Sequence, residues 1–151
     1  MKCELISASH SVFEANYHMQ LTPAYRREIF KDELVRVLVR DYLIAAGKRH
    51  KINITAMGFG KDHIHIFVEG CKNHSVSEIV RILKGYSSYM MRKKHSDLFR
   101  KDLWGNKFWS GGYFARTVGT VNNETVHHYV SQSQEYKYER IQQSKLIEFS
   151  P

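Results

Sequence analysis

Proline is nearly absent and glycine is sparse: two and nine in 151 residues, too few for a long linker. No internal repeat and no low-complexity tract appears. One domain over 1–151 is expected, with a core from about 10 to 135 and a frayed tail from about 141 to 151. No apolar run approaches the roughly 18 residues of a spanning helix, so no membrane partner is expected. Glu4 stands where a signal peptide would begin its apolar stretch, so no export signal is expected either. The two cysteines, Cys3 and Cys71, form neither a CxxC nor a paired framework, which fits a reduced, cytoplasmic setting. HExxH and the zinc spacings are missing. So are the Walker and GxGxxG signatures, and no nucleotide cofactor is implied.

What is present is ordinary in hydropathy and biased in charge. Apolar residues make up 42 % and charged residues 25 %, as in a soluble globular fold. A chain of about 150 residues buries roughly 70 % of its unfolded surface and folds without staples. Lys and Arg number 23 against 15 Asp and Glu, a formal net charge of +8. Such a field attracts polyanions, nucleic acid first among them.

The pattern along the chain alternates strands and helices. Tyr17 to Thr22 reads as a strand stopped by Pro23. Glu28 to Ile44 is helical in pattern, with Leu34, Val37 and Leu38 on one face and Val35, Val39 and Leu43 widening it. Gly47 reads as its end signal. Ile52 to Phe59 and His63 to Glu69 read as two further strands joined by Gly60-Lys61-Asp62. Ser75 and Glu78 form a capping box for a second helix, whose Val76, Ile79, Val80 and Leu83 recur at helical spacing. Its polar side carries Arg81, Lys84 and Arg92, and Arg92-Lys93-Lys94 closes it. An aromatic, glycine-rich loop follows from Trp104 to Tyr113, then a strand from Tyr113 to Val118. Asn122-Asn123 can cap a last helix from about Glu124 to Arg140. The order β-α-β-β-α-β-α is the α+β, ferredoxin-like (RRM-like) split βαβ: a four-stranded antiparallel sheet with two helices on one face and one extra C-terminal helix.

Strand alternation sends Ile64, Ile66 and Val68 toward the helices and His63, His65, Phe67 and Glu69 to the other face. Two imidazoles at i and i+2 stand roughly 6.5–7 Å apart at their Cα atoms and can share one divalent cation, given a third ligand. In the last helix Val126 and Val130 can anchor to an apolar surface, with Tyr129 and Gln132 on a neighbouring face and Gln134 beyond. A phenol has a pKa of about 10 and attacks poorly at neutral pH, unless a cation stabilises charge on the phosphate and leaving group. A tyrosine beside a histidine-bound metal is therefore a workable phosphoryl-transfer apparatus.

His63-Ile64-His65 resembles the HUH motif, histidine-hydrophobe-histidine. The whole chain resembles the single-tyrosine HUH transposases of the smallest insertion sequences, REP-associated relatives included. Tyr17-His18-Met19 with Tyr25 to Phe30 resembles the family's opening strand and following turn. Met57 to His65 resembles its metal strand, with the usual Asp before the first histidine. Leu83 to Ser88 resembles its second helix, Leu103-Trp104-Gly105 and Phe108 to Phe114 its loop and fourth strand, and Val126 to Gln132 its nucleophile helix.

The resemblance implies Tyr129 as nucleophile and His63 and His65 as metal ligands. The family's third ligand is a glutamine four residues after the tyrosine, but position 133 is Ser. Gln132 is then the expected ligand, with Gln134 as the alternative, holding Mg2+ or Mn2+. The resemblance further implies single-stranded DNA with hairpins as substrate, a 5′-phosphotyrosine intermediate, and a homodimer joined through sheet edges, whose last helix can place its tyrosine against the partner's histidines to give composite sites. Arg81, Lys84, Arg92, Lys93 and Lys94 are the expected DNA contacts, with Arg26 and Arg27 beside them. Tyr86, Tyr89, Phe108 and Trp109 are candidates for base stacking, the last two equally for the core. Two readings compete: an RRM-like binding module without chemistry, and a degenerate relative that binds hairpins without cutting.

Overall fold

Side-chain alternation and two helix caps explain most of the architecture. The computed structural model describes residues 6–8, 11–13, 15–103, 105–119, 121–130 and 139–141. Strands β1 (Ile6–Ala8) and β2 (Ser11–Phe13) form a small antiparallel hairpin that the sequence reading does not contain. β3 (Asn16–Leu21), α1 (Glu33–Arg49), β4 (Asn53–Phe59), β5 (Ile64–Glu69), α2 (Val76–His95), β6 (Phe114–Val118) and α3 (Asn123–Val130) follow. The split βαβ with an extra C-terminal helix is the arrangement the pattern predicts. A two-residue strand, β7 (Glu139–Arg140), adds to it, and the antiparallel sheet runs β6-β3-β5-β4-β7.

α1 and α2 pack on one face of this sheet. Met19 and Leu21 from β3, Ile54 and Met57 from β4, and Ile64, Ile66 and Val68 from β5 join Val39, Leu43, Ile79 and Leu83 in the main core. Residue pairing in β4 slips between Ile54 and Ala56, a bulge at Thr55. The extra residue lets both Ile54 and Met57 face the helices while Ala56 and Gly58 keep the opposite side. It also frees the Thr55 carbonyl, which accepts from the Ile141 N–H at 2.9 Å.

Four local expectations are corrected. α1 starts at Glu33, not Glu28, because the Asp32 carboxylate accepts from the Leu34 and Val35 N–H groups at 2.9 and 3.3 Å and so caps it there. Two short 3-10 turns, Ala24–Arg26 and Ile29–Lys31, precede it. Its buried stripe is Val35, Val39, Leu43 and Ala46, whereas Leu34 and Val37 are 51 % and 44 % exposed. Gly47 does not end the helix; a Cβ there would come within 2.8 Å of the Ile52 carbonyl oxygen, so the glycine admits the returning strand. The last helix does not extend to Arg140, which pairs with Ala56 in β7.

α2 carries the capping box in both directions: Glu78 N–H donates to Ser75 Oγ at 3.2 Å and Ser75 N–H to Glu78 Oε1 at 3.1 Å. The aromatic loop is a core element. Phe108 and Trp109 are buried, and Trp109 Nε1 donates to Ser87 Oγ at 2.9 Å. The loop also bonds the chain just after β3, through Ala24 N–H to the Phe108 carbonyl and Ser110 N–H to that of Thr22. No helix among the described residues is long and apolar enough to cross a membrane.

Candidate functional site

The face of the sheet opposite α1 and α2 carries the polar residues of interest. His18 and Gln20 of β3, His65 and Phe67 of β5, and Phe114 and Arg116 of β6 share it by register. His63 lies one residue ahead of β5. All three histidines are buried, with 3 % of His18, 3 % of His65 and 8 % of His63 exposed. The rings of His63 and His65 meet edge to face at 5.0 Å.

Each of these two rings is held through its Nδ1. His63 Nδ1 donates to Asp62 Oδ1 at 2.9 Å. His65 Nδ1 lies 2.8 Å from His18 Nε2, one nitrogen donating to the other. A histidine that binds a metal through one nitrogen almost always has the other fixed by such a partner. The pair therefore fits a divalent cation in donor type and in its supporting shell. Among the described residues no set of three His, Cys, Asp or Glu side chains converges as a complete metal site. Gln132 and Gln134, the expected third ligand and its alternative, lie outside the described residues.

The supports are themselves supported. Arg26 Nε donates to Asp62 Oδ2 at 3.2 Å. Burial raises the Asp62 pKa, but the hydrogen bonds and charges of His63 and Arg26 outweigh it and hold the carboxyl below its ordinary range. Arg26 and its neighbour Tyr25 both have left-handed backbones, φ 51° and 59°. Each such residue costs roughly 1–2 kcal/mol, a strain offset here by turn hydrogen bonds and the Asp62 contact. The turn borders a groove of about 660 Å³ that includes Arg26, Arg27, Lys31, Asp62 and Lys101. His18 is stacked on Phe67 at 4.7 Å. Burial, and secondarily Arg116, lowers its pKa to about 4, so the ring is neutral at pH 7.

Sequence reasoning misses His18 and Gly60. The signal for His18 is available, because alternation in the first strand puts it opposite Met19 and Leu21, on the histidine side. Gly60 has no such signal, since its role is one of space. A Cβ there would fall 2.3 Å from His63 Cε1.

α3 occupies this same face. Val121 and Val126 form a small second apolar cluster with Ala56 and Phe67. Its cap is Asn122, whose side-chain oxygen accepts from the Thr125 N–H at 2.8 Å. Tyr129 is in α3, three residues after Val126, and its side chain is outside the described atoms.

The basic candidates divide into two groups. Lys84 donates to the Ser110 and Gly112 carbonyls, both at 2.8 Å, and Arg92 donates to the Lys107 carbonyl while lying over the Phe99 ring. Both brace the aromatic loop. Arg27, Arg81, Lys93 and Lys94 are exposed, and Lys93 also reaches Tyr89 Oη at 3.1 Å. Of the stacking candidates, Tyr89 is exposed, Tyr86 is half-buried, and Phe108 and Trp109 are core. Lys84→Met is expected to lower stability by about 1–2 kcal/mol, because charged-group hydrogen bonds to two carbonyls are lost. A urea midpoint equal to that of the unaltered chain would refute the bracing role.

Comparison with known proteins gives one consistent result. The sequence profile of a family described as IS200-like transposase matches residues 11–133. The transposase for insertion sequence element IS200 of Salmonella typhimurium is 32 % identical over 124 residues, 82 % of this chain and 80 % of that one. The Salmonella typhi transposase matches equally. Among solved structures, a candidate transposase from Deinococcus radiodurans R1 superposes with a TM-score of 0.64 at 22 % identity, covering 84 % of this chain and 96 % of that one. The REP-associated tyrosine transposase bound to a REP hairpin superposes with a TM-score of 0.52 at 12 % identity, covering 82 % and 68 %.

Proposed function

The chain belongs to the IS200-like transposase family, and from that membership we propose a metal-dependent transposase that cleaves and rejoins single-stranded DNA at insertion-sequence ends. The observation that carries this reading is the His63–His65 pair, each Nδ1 already held, on the face where Val126 docks the helix of Tyr129.

His63 and His65, with Gln132 or alternatively Gln134, would hold Mg2+ or Mn2+. When bound, the cation would neutralise charge on a non-bridging phosphate oxygen and on the leaving group. Tyr129 Oη attacks the scissile phosphorus, and the phenol's proton passes by way of solvent to the departing O3′. The P–O3′ bond breaks, leaving a 3′-OH on one strand and a 5′-phosphotyrosine on the other. A different 3′-OH then attacks that phosphorus and the tyrosine oxygen leaves, so the strands are exchanged with no nucleotide cofactor. Asp62 keeps the His63 imidazole aimed throughout.

The substrate we propose is DNA with hairpins, the kind of ligand named for the REP-associated relative. Arg81, Lys93 and Lys94 would hold the folded part. Arg26 and Arg27 border the groove next to Asp62 and would guide the unpaired strand toward His63. Lys84 and Arg92 would act on DNA through the loop they brace. The working unit we propose is a homodimer with composite sites, in which a last helix can serve its partner's histidines.

The test is covalent capture. Incubated with Mn2+ and a single-stranded hairpin from its own element end, the protein is expected to form a denaturant-resistant DNA adduct. Absence of any adduct over a panel of flanking sequences would refute the activity. Binding is expected to weaken steeply with salt. If about four phosphates are neutralised, log K falls against log salt with a slope of about −3. A slope near zero would refute the basic contacts.

A further inference from the structure

We propose that His18 is a positioning residue: it fixes His65 in the tautomer that leaves Nε2 as the metal-facing donor. The inference rests on the reading of His63 and His65 as metal ligands and adds to it a residue outside the His-x-His motif.

The geometry leaves few options. His18 is on β3, opposite Phe67 and diagonal to His65 across the β3–β5 ladder. Its Nε2 is 2.8 Å from His65 Nδ1. Its ring lies nearly parallel to both neighbours, 15° from Phe67 and 18° from His65. One proton sits on that nitrogen–nitrogen contact, and its side decides the chemistry. If His18 Nε2 carried it, neutral His65 would accept at Nδ1 and have its own proton on Nε2, unable to coordinate. If His65 Nδ1 carries it, His65 Nε2 presents a lone pair. Metal binding therefore requires His18 Nε2 to accept. His18 plays for His65 the part that Asp62 plays for His63, with a ring in place of a carboxylate. The stack on Phe67 holds the acceptor in place, and Phe67 also belongs to the apolar cluster that includes Val126 of α3. The support of the metal-facing ring and the seat of the nucleophile helix thus share one side chain.

The experiment reads the tautomer directly, on the full chain labelled with 15N-histidine and free of metal and DNA. A long-range proton–nitrogen correlation at neutral pH, assigned with His65→Gln, is expected to show His65 protonated at Nδ1 and bare at Nε2. His18→Phe keeps a buried ring on Phe67 but removes the acceptor. It is expected to shift His65 toward the Nε2–H form and to weaken Mn2+ binding by about 10- to 100-fold in calorimetry. His18→Gln can place Oε1 near the position of Nε2 and is expected to restore the Nδ1–H form and most of the affinity. Wild-type His65 protonated at Nε2, or a His65 tautomer unchanged by His18→Phe, overturns the proposal. Should His18→Phe fail to fold, the wild-type spectrum and His18→Gln still decide it. The spectrum needs no turnover, so a missing DNA adduct refutes the proposed activity separately.

Discussion

Tyr129→Phe is expected to abolish the covalent DNA adduct, by on the order of 10⁴-fold or more, while hairpin affinity stays within about 0.5 kcal/mol of the original. The substitution removes only the phenolic hydroxyl group. A phenyl ring has no nucleophile, and no water can replace it in forming a protein–DNA bond. α3 is seated through Val126 in the cluster with Ala56, Phe67 and Val121, so the helix retains its anchor in the variant. The measurement is a denaturing gel with radiolabelled single-stranded hairpin and Mn2+, alongside a filter-binding titration without metal. Peptide mapping of the wild-type adduct distinguishes Tyr129 from Tyr136 and Tyr138, which follow it closely in sequence. Adduct on either of those, or an undiminished adduct in the Phe variant, would move the nucleophile elsewhere.

The sequence carries the fold because its signals are short-ranged and physical. The Ser75–Glu78 box, the apolar repeat of α2 and the alternation of His63 to Glu69 each depend on residues within a turn or two of one another. The errors come from long-range effects. Leu34 and Val37 are as apolar as Val35 and Val39, and only the position of the sheet decides which pair is buried. The β7 strand needs the Thr55 bulge on a distant strand to receive it. The site divides in the same way. His63 and His65 are visible as a pair because strand geometry alone places them together. Lys84 looks like a surface cation in any helical projection, yet its ammonium lies between two loop carbonyls. Asp62 reads as part of a motif, but its two partners, one on each oxygen, emerge only once the left-handed Tyr25–Arg26 turn is placed beside it.

Gly60→Ala is expected to cost nearly as much cleavage as His63→Ala, through one methyl group. The added Cβ would stand 2.3 Å from His63 Cε1, 2.7 Å from Nδ1 and 2.8 Å from Nε2. Half of an imidazole ring would have to move. Gly60 is not among the glycines with positive φ, so the backbone itself accepts alanine and the conflict is purely one of space. The ring has little freedom to yield, being 8 % exposed and hydrogen-bonded to Asp62. The turn has little more, because Gly60 N–H donates to the His63 carbonyl at 2.9 Å. Whichever gives way, Nε2 leaves the position from which it would meet a cation shared with His65. A displacement of about 1 Å in a reacting array costs roughly 10²-fold in rate, and that is the expected loss. Mn2+ affinity should fall with it, read by calorimetry. The decisive comparison is the double variant. With His63→Ala present the clash has no ring to act on, so adding Gly60→Ala should change neither metal affinity nor urea stability by more than about 0.5 kcal/mol. Wild-type cleavage in Gly60→Ala, or additive losses in the double variant, would show that the glycine serves the turn and not the histidine.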